Sequence, residues 1–306
     1  MLVIAGATAA GKSALAVAAA LRLRERGDPA EIVSADSMQV FRGMDIGTGK
    51  IPPDERRSVP HHLLDIRDPT EPFSVDEWLA LAERAIAEIR ARGATPIVVG
   101  GSLLYVKALL EGMFEGPPAD PALRAEFEAM TPPERRALLE RADPDAAARI
   151  HPNDLRRTVR ALEVHRITGV PISEHQRQWD ATPRGRPDAS LLGIEWPIEA
   201  INQRINARVK QMIERGLVDE ARSLWARAGL GPQAREALGY KQLIEAFEGR
   251  ATIDDAVEQI KIETRRFAKN QRTWLRRLRL TPRSVWIDAA VTPEAEWASN
   301  ALEALP

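Results

Sequence analysis

The 306-residue chain has no cysteine, almost no net charge and no apolar run approaching a membrane span, for which roughly 18 residues are needed. The missing thiols exclude disulfides, thiolate nucleophiles and cysteine-ligated zinc, and suit a reducing compartment. The N-terminus goes straight into an expected first strand, which leaves no room for a leader peptide. The expectation is therefore a soluble, cytoplasmic protein, with nothing to suggest more than a monomer. A formal charge of −1 does not by itself call for a polyanionic partner. Internal repeats and low-complexity segments are also absent, which leaves one large globular domain or two modest ones. What is present suits that: 44% hydrophobic residues can build a sizeable core, and 28% charged residues are usual for a soluble chain.

The most informative stretch is Gly6-Ala7-Thr8-Ala9-Ala10-Gly11-Lys12-Ser13, which fits G-x-x-x-x-G-K-[ST] at every fixed position. It follows the apolar run Met1–Ala5, read as a buried strand, and precedes an alanine-rich helix expected to reach about Arg26. Such a loop wraps an anion with its backbone N–H groups. Lys12 would add charge to the phosphate oxygens, and the Ser13 hydroxyl would hold Mg2+. Glu31–Asp36 reads as a second strand with an acid at its tip, where ligand groups gather in parallel sheets. Asp36 suits a general base, or alternatively caps the turn that follows. The polar, glycine-rich segment 37–50 reads as an ordered functional loop. Strand signals at 59–66 (an edge), 96–102, 190–196 and 284–288 alternate with helical patterns over 75–92 and 103–110. His61 and His62 suit structural roles better than metal ligation.

These alternations predict an α/β fold: a P-loop NTPase-like parallel sheet flanked by helices, residues 1–115 and 188–306. Between them, 116–187 shows no strand signal and reads as an all-helical insertion or lid, with helices near 123–130, 133–141 and 154–168. Helices are expected again at 198–215, 218–228, 240–248 and 253–279.

The positive charge is segregated. Lys261, Arg265, Arg266, Lys269, Arg272, Arg276, Arg277, Arg279 and Arg283 face a single acid, Glu263, with Phe267 and Trp274 interleaved. Such a helix favours a polyanion through counterion release, while Trp274 suits the core better than base stacking. Arg156, Arg157, Arg160 and Arg166 form a second basic set, equally compatible with a solvated, acid-paired face. Arg204 and Arg208, four apart on one helix, would make a diphosphate clamp. A small-molecule kinase, a nucleic-acid-dependent ATPase and a transferase acting on a diphosphate all remain open on these residues. A helicase-like motor is disfavoured, because the strand at 97–99 ends in Gly100-Gly101 and not in an acid.

In family order, residues 6–13, Asp36-Ser37-Met38-Gln39, Arg42–Thr48, Val99–Ser102, His151–Asp154, Arg160–Glu163, Gly239-Tyr240 and Lys269–Arg276 resemble the tRNA isopentenyltransferase (IPP transferase) family. The resemblance covers about residues 1 to 280. Ala7 stands where the family usually has proline, and Ser102 where it commonly has threonine; the last ~25 residues match nothing. The resemblance implies transfer of a dimethylallyl group from dimethylallyl diphosphate to N6 of adenosine 37 in the tRNA anticodon loop. It implies that Lys12, Thr8, the loop amides and Arg208 hold the leaving diphosphate, with magnesium on Ser13 and Asp36 as base. It also implies tRNA contacts from Asp36, Ser37, Met38, Gln39, Ser102, Arg124, Arg156, Arg157, Arg160, Gly239, Lys241, Lys269, Arg272, Trp274 and Arg276. A kinase or a non-catalytic tRNA-binding protein are the alternatives.

Overall fold

The computed structural model describes residues 1–113, 116–179, 186–227 and 229–305. In chain order it contains β1 (Leu2–Gly6), α1 (Lys12–Glu25), β2 (Ala30–Ser34), β3 (His61–His62), α2 (Val75–Ala91), β4 (Thr95–Gly100) and α3 (Leu103–Glu111). Then come α4 (Pro121–Ala129), α5 (Pro132–Ala142), α6 (Pro144–Arg149), α7 (Leu155–Thr168) and α8 (Ile172–His175). The chain continues with β5 (Ser190–Glu195), α9 (Ile198–Glu214), α10 (Leu217–Ala226), α11 (Pro232–Arg235), α12 (Tyr240–Phe247), α13 (Ile253–Leu278), β6 (Ser284–Asp288) and α14 (Glu294–Glu303).

The strands form one parallel sheet in the order β3-β2-β4-β1-β5-β6. A parallel sheet is covered on both faces, so its strands read as continuous apolar runs, as Met1–Ala5 and Ile97–Val99 do. Successive side chains then serve opposite cores. Leu2, Ile4, Ile32, Ile97 and Leu192 pack with α1 and α14. Val3, Ala5, Val33, Val98 and Leu191 pack with α2, α3, α10 and α12. The expected edge strand shrinks to two residues beside β2. Helix starts follow the local chemistry: Ser74 Oγ accepts from the Glu77 N–H at the start of α2, and Thr252 and Asp255 cap α13 reciprocally. Four elements were not anticipated: α6 and α8 in the insertion, the short α11, and α14 at the C-terminal end. Among the described residues no helix is long and apolar enough to cross a membrane.

The chain divides into two compact units, Met1–Leu110 with Gly185–Pro306, and Glu111–Arg184. The division expected from sequence was 116–187; its opening bound at residue 115 and its closing Thr182-Pro183-Arg184-Gly185 lie outside the described residues, as does Ala228 at the expected end of α10. The second unit has its own core of Phe127, Leu139, Val159, Leu162, Val164 and Ile172. Glu163 is fully buried there. It accepts two hydrogen bonds from Arg124 at 2.8 and 3.1 Å, one from the Asp120 N–H at 2.8 Å, and one from Arg160. Burial alone would raise the Glu163 pKa; the hydrogen bonds from Arg124 and Arg160 outweigh it and hold the carboxyl below the usual glutamate range.

A carboxyl lowered in this way stabilises the fold above its unfolded pKa, and loses that contribution as pH falls through the lowered folded value. Urea denaturation followed by circular dichroism should show stability declining as pH drops below about 4.5, and Glu163→Gln should flatten part of that decline. An unchanged slope in the variant would count against this account.

Candidate functional site

β1 ends at Gly6 and α1 begins at Lys12, so residues 7–11 form the loop between them. Gly11 caps α1 with φ +94° and no side-chain cap. The first amides of the helix are thus left for a ligand. Ala10 N–H closes a turn on the Ala7 carbonyl at 3.2 Å, and Lys12 Nζ donates to the same carbonyl at 2.8 Å. The loop's outer carbonyls are held from behind. Trp196 Nε1–H donates to Ala10 O at 3.1 Å, and Arg204 Nε–H to Ala9 O at 3.0 Å. Arg204 lies 4.3 Å over the Trp196 ring and pairs with Glu294 of α14 at 3.2 Å. Trp297, also on α14, packs edge-on to Trp196 and beneath Gly11, where a Cβ would come 3.1 Å from its ring. Arg204 is therefore no partner for Arg208 in a diphosphate clamp; its guanidinium is spent bracing the loop. The C-terminal segment that matched no motif supplies part of the same brace.

Asp36 is delivered by a close backbone crossing. The Ala35 N–H donates to Val99 O at 2.7 Å, and the Ser102 N–H donates to Ala35 O at 3.2 Å. A Cβ on Gly100 would overlap the Ala35 carbonyl. That is why β4 ends in glycine here. Asp36 Oδ1 accepts from the Met38 N–H at 2.9 Å and the Gln39 N–H at 3.4 Å. The turn-capping role is thus real, but it uses one oxygen; no hydrogen bond engages Oδ2 among the described residues. Ser102 Oγ accepts from the Ser37 N–H at 2.9 Å, and Gln39 Nε2 donates to Thr48 O at 3.3 Å. The glycine-rich loop is ordered by a residue with no motif of its own. Glu220 accepts from the N–H groups of Asp45, Ile46 and Gly47 and from the Tyr240 hydroxyl. Buried Lys50 donates to the Phe41 carbonyl, Asp45 and Asp65.

Two cavities meet at Asp36. The first, about 80 Å³, is lined by Thr8, Lys12, Ser13, Asp36, Gln39, Arg208 and Gln271 among others. The second, about 290 Å³, is walled by Ile205, Val209, Met212, Leu217, Leu238 and Ile260, with Met38, Ser37 and Ser102. Thr8, Asp36, Thr48, Arg208 and Phe267 border both. Arg208 makes no hydrogen bond or ion pair among the described residues, although its guanidinium packs against Gly49. Burial lowers its pKa, and Asp36 opposes the drop. Lys12 is lowered to about 8, chiefly by burial, then by Arg208, with Asp36 again opposing. Two enclosed cations with too little negative charge between them describe an anion site.

Other residues carried from the sequence fall elsewhere. Arg124 and Arg160 are committed to Glu163, and Arg157 pairs with Asp154 at 3.0 Å. These pairings hold their own unit together; Arg156 is exposed. Lys241 pairs with Glu236 at 2.9 Å, and the Gly239 N–H donates to Gln242 within the α12 cap. The charge of α13 is partly answered: Lys261 by Glu258, Arg266 by Glu263, and Arg279 by Glu195. Lys269 and Arg276 stay exposed, and Arg272 has a buried Nη1 without a hydrogen-bond partner. Trp274 packs against the core, 5.9 Å beneath the Lys107 ammonium, as expected of a core residue. Gln271 does not face outward with its neighbours; it is 4% exposed and turned into the site. His61 Nδ1 bonds Val59 O and His62 Nε2 bonds Glu31.

A lysine at about 8 predicts how anion affinity varies with pH. Inorganic pyrophosphate binding, measured by calorimetry, should weaken above about pH 8 as Lys12 loses its proton, and Lys12→Ala should abolish that inflection. Persistence of the inflection in the variant would assign it to another group.

The sequence profile of the IPP transferase family matches residues 39–278. A tRNA dimethylallyltransferase of Geobacillus kaustophilus is 46% identical over 279 residues, 90% of this chain and 86% of that protein. One from Symbiobacterium thermophilum is 46% identical over 300 residues, 96% of this chain and 91% of that protein. The solved full-length tRNA isopentenylpyrophosphate transferase of Bacillus halodurans superposes with a TM-score of 0.71 at 38% identity, covering 99% of this chain and 94% of that one. A eukaryotic dimethylallyltransferase captured acting on tRNA gives 0.79 at 28% identity, covering 99% of this chain and 76% of that one. With its braced anion loop and the carboxylate beside it, the chain belongs to the IPP transferase family.

Proposed function

We propose that this protein transfers a dimethylallyl group from dimethylallyl diphosphate to N6 of adenosine 37 in the anticodon loop of tRNA. The relatives named tRNA dimethylallyltransferase, similar over nearly the whole chain, support prenyl transfer to tRNA. One observation carries the finer reading: an anion cavity holding Lys12 and Arg208 opens, at Asp36, onto a second cavity with largely apolar walls.

The diphosphate lies in the first cavity, on the amides of α1, Lys12 and Arg208, while Thr8 stands at the junction beside its ester oxygen. The N6 lone pair forms a bond to the first carbon of the dimethylallyl group as the carbon–oxygen bond breaks. The electron pair of that bond leaves with the diphosphate, whose charge the two cations stabilise. The N6 proton passes to Asp36 Oδ2, the oxygen not used by the turn. Adenine must leave its stack to arrive there, and the larger cavity is the space that receives it. Magnesium would be held at Ser13, a residue that lines the first cavity and whose hydroxyl has no hydrogen bond among the described residues. No group of three acidic or histidine side chains gathers to hold a metal among the described residues, so diphosphate oxygens and water would complete the shell. Bound there, the ion would help neutralise the leaving group. Exposed Lys269 and Arg276 would meet the tRNA phosphates.

The test is incubation with dimethylallyl diphosphate, magnesium and unmodified tRNA, followed by nucleoside analysis. N6-dimethylallyladenosine is expected; recovery of only unmodified nucleosides would sink the proposal. A kinase would instead consume ATP with a hydroxylated acceptor, indifferent to tRNA, and a pure binding protein would hold tRNA without turnover. Asp36→Asn retains a capping oxygen, so it should keep tRNA affinity within about tenfold while kcat falls by about a hundredfold or more. Full rate in that variant would show that Asp36 is not the base.

A further inference from the structure

Gln271 sits on the basic helix α13, between Lys269 and Arg272, yet it reaches the opposite way. Its Oε1 accepts from the Thr8 N–H at 2.8 Å, and its Nε2 donates to Gly101 O at 2.8 Å. Gln271 is 4% exposed, with the bond to Gly101 buried and the bond from Thr8 partly so. They join the anion loop after β1 to the glycines after β4, two segments more than 90 residues apart in sequence. A Cβ on Gly101 would come 2.9 Å from Gln271 Nε2 and 3.5 Å from Lys12 Nζ, so amide and ammonium share one tightly filled space. The bond to Thr8 has a consequence for the ligand. With its N–H turned to Gln271, Thr8 cannot offer that amide to a phosphate. Thr8 borders both cavities, and its hydroxyl has no hydrogen-bond partner among the described residues.

We propose that Gln271 is a positioning residue for the prenyl donor: by tying back the Thr8 amide, it aims the Thr8 hydroxyl at the diphosphate. This rests on the prenyl-transfer reading above. The glutamine borders the diphosphate cavity, but both ends of its amide are committed to Thr8 and Gly101. It acts through Thr8, and the amide group is required because one position must both accept from Thr8 and donate to Gly101. Hydrophobic replacement would leave a buried N–H and a buried carbonyl unpaired, and the loop would turn to satisfy them.

The experiment is a double-mutant cycle on the full chain, reading the KM for dimethylallyl diphosphate and, separately, tRNA affinity. Thr8→Val keeps the backbone N–H and removes only the hydroxyl. Gln271→Met keeps the side-chain length and removes both hydrogen bonds. Each single change should raise donor KM about tenfold, and the double variant should sit near the single ones, short of the roughly hundredfold that independent effects would give. Gln271→Glu, which restores the acceptor for Thr8, should recover part of the loss. Affinity for tRNA should be unchanged throughout. Independent multiplication of the two effects, no rise in donor KM for either single variant, or a loss of tRNA affinity confined to Gln271→Met would each overturn the proposal. Failure of the unmutated protein to transfer the prenyl group at all would instead overturn the functional reading on which it rests. If Gln271→Met does not fold, the Thr8→Val and Gln271→Glu pair supplies the same cycle with the acceptor retained: a modest rise in donor KM for Gln271→Glu that disappears in the Thr8→Val background would support the proposal, while a rise that multiplies in full with that of Thr8→Val would overturn it.

Discussion

The site depends on one backbone crossing. Where β2 gives way to Ala35, the chain bonds Val99 on one side and receives the Ser102 N–H on the other. Only glycine at position 100 leaves room for the Ala35 carbonyl. Any side chain there would push the two strand ends apart and carry Asp36 away from Lys12. The parallel register of β2, β4 and β1 places three strand ends side by side, and each contributes one element of chemistry. β1 leads to the anion loop, β2 to the carboxylate, and β4 to the glycines against which Gln271 closes. The sheet orders these ends; the crossing sets their spacing.

Around that crossing the anion loop is braced by residues from late in the chain. Arg204 and Trp196 hold its carbonyls, Trp297 fills the space beneath Gly11, and Gln271 takes the Thr8 amide. A peptide whose carbonyl is fixed on one side must present its amide or side chain on the other. This is preorganisation in a direct sense, because the loop need not be reordered when the anion arrives. Ala9, held with φ +62°, is a conformation that an alanine adopts at some cost, and the Arg204 bond to its carbonyl offsets it.

How much of this the sequence disclosed follows from the range of each interaction. The loop motif, the apolar strands and the helix caps are local patterns, and each was readable within a window of a few residues. Asp36 was readable as an acid at a strand tip, although its dual use, one oxygen for the turn and one left over, was not. Arg204 and Arg208 share a helix face by spacing, but their guanidiniums part company because Trp196 and Glu294 wait for one of them. The basic face of α13 concealed a residue that points inward, since one buried position in a charged run leaves little trace in composition. Glu220 is indistinguishable in sequence from any helical surface acid, and only folding brings the 44–49 loop onto it. The insertion's arginines left RNA contact and an acid-paired face equally open, because Glu163, which gathers Arg124 and Arg160, looks like an ordinary member of an amphipathic helix.

The electrostatics explain why a phosphate loop suits a leaving group. Before the donor binds, Lys12 and Arg208 lie near one another in an enclosed space, each lowered by burial, with Asp36 the nearby compensating charge. That arrangement disfavours itself, and an entering diphosphate relieves it. Under the proposed prenyl transfer the relief would grow as the carbon–oxygen bond breaks, because the diphosphate would gain charge in the transition state that it lacks as an ester.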